Sequence, residues 1–435
     1  MRQTLTIIII LAMMILTINA QETEVRPVKN LIVFIADGLS LSNKTLARIY
    51  SVGPYGKLYI DSMEVTGYMT NHSADSWISD SAANSTAIST GQKTENGKVA
   101  TMPNGKIKTN FIESLSIVDK SVGIVTNGSP ASPALAPYYA HADSYEDKMK
   151  IVDDLFHKNI SVIFSAGEED YLPQEENGIR TDSRNFIEEA QNAGYRFIPD
   201  VSALRAFSYA EKVLGVFSRG NIPYEVDRKP TLPSLSQMTS KAISLLSQKE
   251  KGFVLFIENN NLTKALNQLD VKAAVSETIV VDRTLKVLEN FVSTNPDTLL
   301  VLLSGYDCGG MGVGPEIDTI ALNAMSMSVT ELKNRLTSTG SNLDEVMAIY
   351  AGVHNLSREE TNLIIDGVNT PDLIRKLGYV ISKRAGVHIL EPIYRNYRTS
   401  TATPVWATGM NAQLFNGYHD NTEVGKMLKA LVGIK

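Results

Sequence analysis

Five short apolar segments recur along the chain and constrain its fold more than any other feature. Each is rich in Val, Ile, Leu or Phe and ends in a polar or glycine-containing turn, and helix-length stretches separate them: NLIVFIAD, VGIVTNG, ISVIFSAG, GFVLFIEN and TLLVLLSGYD. Strands that are apolar on both faces must be covered on both faces, as in a parallel sheet flanked by helices. The sequence therefore predicts an α/β fold with a doubly wound, mostly parallel central sheet.

The ends of these segments indicate where a ligand site would lie. Asp37 follows the first segment, directly before a glycine, and Glu258 ends the fourth. Ligands of doubly wound folds bind beyond the carboxyl ends of the strands. Asp37, Glu258 and the residues just after Leu303 are therefore candidate site residues.

The N-terminal residues are typical of a targeting segment. MRQTLTIIIILAMMILTINA has one basic residue, an apolar run too short for a spanning helix, and small residues at its end. Residues 1–20 are predicted to be a secretory signal peptide and residues 21–29 a linker, followed by one domain over 30–435 with a helical insertion at about 315–377. The predicted location is the periplasm or the outside of the cell, with no membrane span after signal cleavage.

Charge and cysteine content exclude some classes of function. The chain carries 41 Lys and Arg against 47 Asp and Glu, a net charge of −6, so we expect no nucleic-acid partner. Its single cysteine, Cys308, cannot form an intrachain disulfide and is expected to be a small buried residue.

The stretch WISDSAANSTAISTGQKTENG contains the candidate nucleophile. Asp80 and Ser81 precede a run of small residues, a pattern typical of a helix N-terminus that packs closely. The N–H groups and dipole at such a terminus also attract phosphate, which would suit a serine that accepts a phosphoryl group. The stretch by itself favours a helix cap, with the phosphoryl acceptor as the alternative.

Longer motifs follow one another in an order that resembles a known family. NLIVFIADGLS, SDSAANSTAISTGQKTENG, LGVFSRGNIPYEVDR, MTSKAISLLSQKEKGFVLFIE and PVWATGMNAQLFNGYHDNTEVGKML together resemble alkaline phosphatases over nearly all of the mature chain. The resemblance implies an alkaline-phosphatase-like fold, with Ser81 at the nucleophile position. It also implies that Asp37 is a metal ligand and that Glu258 is a ligand of the magnesium site. Family members often form homodimers, so a homodimer is a further expectation.

Other ligand positions of the family carry residues that do not suit a metal. By the resemblance, the lost ligand positions are Ala131, Ser132, Thr263, Asn267, Gly305, Tyr306 and Arg398. The arginine that clamps phosphate in the family corresponds approximately to Tyr145. Zinc sites of such enzymes draw heavily on imidazole, yet none of the six histidines lies three to five residues from another. The two zinc ions of the family are therefore not expected, and the cofactor is either none or a single magnesium ion.

Two functions are compatible with this pattern. One is a pseudophosphatase that binds a phosphorylated small molecule or protein partner with little or no turnover. Arg398 motivates it, because a guanidinium can take the place and charge of a lost cation and bind phosphate beside Ser81. The alternative is a phosphomonoesterase that acts through Ser81 with one magnesium ion. Its oxygen ligands would be Asp37 and Glu258, joined by Asn259, Asn261, Asn267 or Asp307.

Overall fold

The computed structural model describes residues 26–338, 342–368, 370–392 and 398–434. The predicted signal peptide and most of the predicted linker lie outside the described residues. Within the described ranges, no helix combines the length and the apolar character that a bilayer crossing requires.

A ten-stranded sheet forms the centre of the molecule, and four very short strands form two further pairs. The strands of the described ranges are β1 (Asn30–Ile35), β2 (Val65–Thr70), β3 (Ser121–Thr126), β4 (Val162–Ser165), β5 (Arg196–Ile198), β6 (Val213–Val216), β7 (Phe253–Glu258), β8 (Thr298–Leu303), β9 (Asp307–Cys308), β10 (Gly312–Val313), β11 (Val387–His388), β12 (Arg398–Thr399), β13 (Thr403–Gly409) and β14 (Gly417–Asp420). The order in the large sheet is β14-β2-β13-β8-β1-β7-β3-β4-β6-β5.

The five apolar segments of the sequence form neighbouring strands of this sheet. They correspond to β1, β3, β4, β7 and β8, and adjacent members of the group pair in parallel. Every residue of β1, β7 and β8 is buried, as expected for strands covered on both faces. Only β13 runs antiparallel to its neighbours, β8 and β2. The predicted mostly parallel α/β fold is therefore confirmed.

Helices cover both faces of the sheet. Those of the described ranges are α1 (Leu41–Val52), α2 (Ser81–Thr90), α3 (Phe111–Ser114), α4 (Lys148–Phe156), α5 (Phe186–Asn192), α6 (Val201–Ala206), α7 (Leu235–Leu246), α8 (Asn260–Asn267), α9 (Val271–Thr294), α10 (Thr319–Ala324), α11 (Val329–Ser338), α12 (Leu343–Ala351), α13 (Arg358–Ile365), α14 (Leu373–Arg384) and α15 (Asn421–Leu431). Alternate residues of β1 point to opposite faces. Phe34 packs in one apolar core with α7 and α9, whereas Val33 packs in the other with α2 and α15.

Helices α10 to α14 occupy the segment that the sequence predicts to be a helical insertion. Buried residues such as Leu332, Met347 and Leu377 belong to the same core as α7 and α9. Two carboxylates hold the start of α11. The partly buried Asp227 accepts a hydrogen bond from the N–H of Ser328 at 3.1 Å, and the buried Asp270 accepts one from that of Val329 at 2.7 Å. These helices therefore pack directly on the sheet-covering layer.

Candidate functional site

The carboxyl ends of the central strands meet at a cavity of about 200 Å³. Such a meeting point is expected, because parallel strands that share a direction end at the same edge of the sheet. The residues that line the cavity come from strand ends, α2, α8, β12 and the connection between β3 and α4: Asp37, Asp80, Ser81, Pro133, Ala134, Tyr145, Glu258, Asn259, Asn260, Thr263, Asn267, Tyr306 and Arg398. The structure thus brings most of the candidate residues into one space.

Ser81 is the first residue of α2, and the residue before it caps the helix. Asp80 accepts hydrogen bonds from the N–H of Ala83 at 2.7 Å and of Gly97 at 2.6 Å. The Ser81 side chain is therefore not needed as a cap, and its hydroxyl donates to the Tyr306 hydroxyl at 3.2 Å. Since the whole helix is buried, this serine is held rigidly at the cavity wall.

Asp37 lies just beyond β1 and is 3% exposed. Its Oδ1 accepts a hydrogen bond from the N–H of Gly305 at 2.8 Å, whereas its Oδ2 has no hydrogen-bond partner among the described residues. Burial raises the pKa of Asp37, and the Ser81 hydroxyl, the Gly305 N–H and the Arg398 guanidinium oppose that rise. Since the Ser81 hydroxyl donates to Tyr306 by geometry, it acts on Asp37 only as a nearby dipole, and Oδ2 has no direct partner among the described residues.

Glu258 ends β7 and is surrounded by neutral donors. Thr126 donates to its Oε2 at 2.6 Å, Asn260 donates to Oε1 at 3.2 Å, and the Ser132 hydroxyl also donates to Oε1. Burial raises the pKa of Glu258 to about 7 because these hydrogen bonds only partly offset desolvation. Both carboxylate oxygens are thus occupied by side chains of the protein.

Gly305 is packed too closely to be replaced by a larger residue. A Cβ atom added there would lie 2.5 Å from Oδ1 of Asp37 and 2.7 Å from Nδ2 of Asn84. Both contacts are far shorter than van der Waals separation. An aspartate at this position, as the family resemblance implies for its active members, therefore does not fit this arrangement.

Arg398 approaches the cavity from β12, which pairs with β9. Its guanidinium carbon lies 5.5 Å from the centre of the Tyr306 ring, and its Nη1 donates to the carbonyl oxygen of Ser79 at 3.4 Å. The positive charge opposes the rise in pKa of both Asp37 and Asp80. Arg398 is therefore close enough to act electrostatically on the group around Ser81.

The donor atoms around Ser81 do not fit a two-zinc centre. Thr263 uses its hydroxyl to donate to the carbonyl oxygen of Asp37 at 2.6 Å, and Asn267 accepts from the thiol of Cys308 at 3.2 Å. No three ligand atoms of His, Cys, Asp or Glu lie within 4.8 Å of one another around Ser81 in the described part of the chain. Neutral oxygens and a guanidinium occupy the places where zinc would need imidazole and carboxylate.

The one such group in the described ranges lies elsewhere, at the C-terminal end of α4, and consists of Asp153, Asp154 and the C-cap residue His157. Arg184 pairs with Asp153 at 2.6 Å and Lys150 pairs with Asp154 at 3.0 Å. These ion pairs explain the acidic group without a metal.

The remaining predicted oxygen ligands serve other contacts. Asn261 donates to the carbonyl oxygen of Ile222 at 2.8 Å, and Asp307 accepts from the Thr399 hydroxyl at 2.7 Å. Neither residue is among those lining the cavity, and nor is Ala131, which is buried in the core. Asn259 does line it, but its side chain donates to the carbonyl oxygen of Glu277.

Sequence analysis did not anticipate two donors to Glu258. Thr126 is the last residue of β3, so the rule that identified Asp37 and Glu258 from strand ends could also have found it. Asn260 begins α8 and gave no separate signal, because asparagines are common at helix starts and turns. The hydrogen bond from Ser81 to Tyr306 also had no sequence signal, since 225 positions separate the two residues.

Lowering the pH from about 7.5 to about 5.5 is expected to raise the melting temperature. Burial raises the pKa of Glu258 and Glu277 to about 7 and that of Asp270 to about 6. The pKa values of these carboxyl groups are lower in the unfolded chain, so the folded chain binds more protons than the unfolded chain between about pH 5.5 and about pH 7.5. The folded chain therefore loses stability as the pH rises through the pKa values that these groups have in the folded state. Thermal melts across this range measure the slope.

Glu258→Gln should make the fall of melting temperature with rising pH shallower. Glu359→Gln, at an exposed position on α13, should leave this pH dependence unchanged. A melting temperature that stays flat or rises with pH over this range would contradict the prediction.

Comparison with known proteins finds similarity to alkaline phosphatases. The family model described as alkaline phosphatase matches residues 28–434. Alkaline phosphatase 4 of Bacillus subtilis (strain 168) is 26% identical, with 94% of this chain and 90% of that protein covered. The alkaline phosphatase of Escherichia coli (strain K12) is also 26% identical, with 67% of this chain and 72% of that protein covered.

Two solved structures show the same fold. The alkaline phosphatase of Thermus thermophilus has a TM-score of 0.85 at 22% identity, covering 94% of this chain and 92% of that one. The cold-active enzyme of Shewanella sp. has a TM-score of 0.81 at 23% identity, covering 92% and 99%. At these identities the similarity shows the fold of the chain. The chemistry of the cavity follows from the residues of this chain.

Proposed function

The chain belongs to the alkaline phosphatase family, and from this premise we propose that it binds a phosphorylated ligand or partner with little or no turnover. One observation carries the proposal. Around Ser81, the cavity presents Arg398 and Tyr306, and the described residues there include no His, Cys, Asp or Glu set that could hold the two zinc ions.

The cavity has the groups that an anion site requires. Ser81 offers a hydroxyl at the start of a ten-residue helix whose dipole favours negative charge at that end. Arg398 offers a guanidinium that can donate two parallel hydrogen bonds to phosphate oxygens. Phosphate held between them would lie where the family resemblance positions the nucleophile.

The same groups are too weak to replace metals in catalysis. Rate enhancements for phosphate monoester hydrolysis reach ~10²¹, roughly 28 kcal/mol of transition-state stabilisation. A helix N-terminus contributes only about 0.3 to 2 kcal/mol, and a general base such as Asp37 only about 10²- to 10⁴-fold. Tyr306 cannot serve as the base, since burial raises the pKa of its hydroxyl far above neutrality. Ser81 therefore remains an unactivated alcohol.

Turnover of p-nitrophenyl phosphate tests the proposal. We expect the chain from Gln21 onward, supplied with zinc and magnesium, to hydrolyse it no faster than Ser81→Ala does, while calorimetry detects binding of inorganic phosphate. Chelator-sensitive turnover that disappears in Ser81→Ala would overturn the pseudophosphatase and support the single-magnesium enzyme. Absence of phosphate binding would overturn the anion site itself.

The single-magnesium enzyme is the second candidate because Oδ2 of Asp37 has no partner among the described residues. A hard cation prefers such an oxygen, but it needs about six oxygen ligands, and both oxygens of Glu258 already accept hydrogen bonds. Export and homodimer formation also remain predictions, the former because residues 1–20 lie outside the described part of the chain.

A further inference from the structure

Among the described residues that line the cavity, negative side chains outnumber positive ones. They are the carboxylates of Asp37, Asp80 and Glu258 and the guanidinium of Arg398. Asp80 uses both oxygens on backbone N–H groups, and Glu258 uses both on side-chain donors. Asp37 alone among the three keeps an oxygen, Oδ2, that is buried and has no hydrogen-bond partner in the described ranges. Other buried side-chain atoms of the described residues also lack a partner, among them Oε2 of Glu277, but Asp37 lies at the wall of the cavity, where a ligand could supply one.

The dianion of a simple phosphate monoester would not supply that partner. Ser81, Arg398 and Asp37 line the same cavity, so a phosphate held by Ser81 and Arg398 would lie near the Asp37 carboxylate. Like charges in a buried space repel, and phosphate oxygens cannot donate a hydrogen bond unless they are protonated. A ligand that carries its own cationic donor would both neutralise Asp37 and satisfy Oδ2.

Resting on the proposed function, we propose that the ligand is a phosphorylated primary amine, whose phosphate binds Ser81 and Arg398 and whose ammonium group binds Oδ2 of Asp37. An ammonium group has three N–H donors and no acceptor, which matches an unpartnered carboxylate oxygen. The hydroxyl oxygen of Thr263 can serve as a second acceptor for the ammonium group. Thr263 lines the cavity, and its hydroxyl donates its hydrogen to the carbonyl oxygen of Asp37, so the lone pairs of the hydroxyl oxygen can accept from the ligand. A cavity of about 200 Å³ accommodates a short aminoalkyl phosphate.

Calorimetry with two ligands of nearly equal size tests this pairing in the presence of a chelator. 2-Aminoethyl phosphate is expected to bind the wild-type chain about tenfold or more tightly than ethyl phosphate, which lacks the ammonium group. Asp37→Asn should abolish the preference while retaining binding of ethyl phosphate, which also shows that the variant is folded. Asp282→Asn removes another buried carboxylate, one outside the cavity lining, and should keep the preference.

The outcomes separate this inference from the proposed function. Equal affinities of the wild-type chain for the two ligands would overturn the phosphorylated amine while leaving the phosphate site in place. Failure of both ligands and of inorganic phosphate to bind would overturn the proposed function as well. Binding of ethyl phosphate that becomes tight only with added magnesium, and only when Asp37 is present, would assign Oδ2 to a metal ion and overturn the amine.

Discussion

Arg398→Met is expected to weaken binding of inorganic phosphate by about 30-fold or more. A hydrogen bond to a charged group contributes roughly 1.5 to 3 kcal/mol, and every 1.4 kcal/mol is about tenfold in affinity. Methionine keeps much of the length of the side chain but removes its charge and donors. Isothermal titration calorimetry on the purified chain measures the change, with circular dichroism to verify the fold.

Two further variants make this prediction specific to the guanidinium. Arg398→Lys should recover part of the affinity, because lysine keeps the charge but not the planar pair of donors. Arg283→Met, at a 64% exposed side chain on α9, should bind phosphate as the wild type does. If Arg398→Met kept full affinity, phosphate would have to bind somewhere other than the cavity beside Ser81.

Gly305→Asp is expected to destabilise the chain by about 3 kcal/mol or more, although it introduces the residue that the family resemblance implies at this position. Its Cβ would lie 2.5 Å from Oδ1 of Asp37, and its carboxylate would add a second buried negative charge next to the first. The strain would also weaken the hydrogen bond from the Gly305 N–H to Asp37. Urea unfolding, with and without zinc, measures the loss.

Gly220→Asp is the matched control, because an added Cβ at Gly220 would meet no atom within 4 Å. Its free energy of unfolding should stay within about 0.5 kcal/mol of the wild type, as for surface substitutions generally. A Gly305→Asp chain that matched wild-type stability and gained zinc-dependent stabilisation would instead show that this region rearranges easily into a metal site. The close packing around Gly305 would then not prevent an aspartate at this position from binding zinc.

Arg398→Met and Gly305→Asp test different features of the proposed anion site. Arg398 supplies a positive charge from a permanent side chain, so phosphate binding would not depend on the metal supply. Because Gly305 has no side chain, its N–H can approach Asp37 and donate a hydrogen bond to Oδ1. That hydrogen bond uses a lone pair that a cation would otherwise bind. Together they predict a site that binds anions and resists a return to zinc.

Sequence alone determined the sheet and the location of the site. The five apolar runs became adjacent parallel strands, because a strand without a polar face can be stable only when both faces are covered. Asp37 and Glu258 were found from strand ends, and Asp80 and Ser81 from a helix start. These are local signals, carried by residues close together in the chain.

Only the tertiary structure determined which hydrogen-bond partners these residues have. Thr126 and Ser132, which donate to Glu258, come from distant segments, as does Tyr306, the partner of Ser81. The bond from the Gly305 N–H to Asp37 spans 268 positions. Such contacts depend on which strands become neighbours and in what register, information that no local pattern carries. The unpartnered oxygen of Asp37 could likewise be recognised only in the folded chain, because a lone polar atom is defined by what surrounds it.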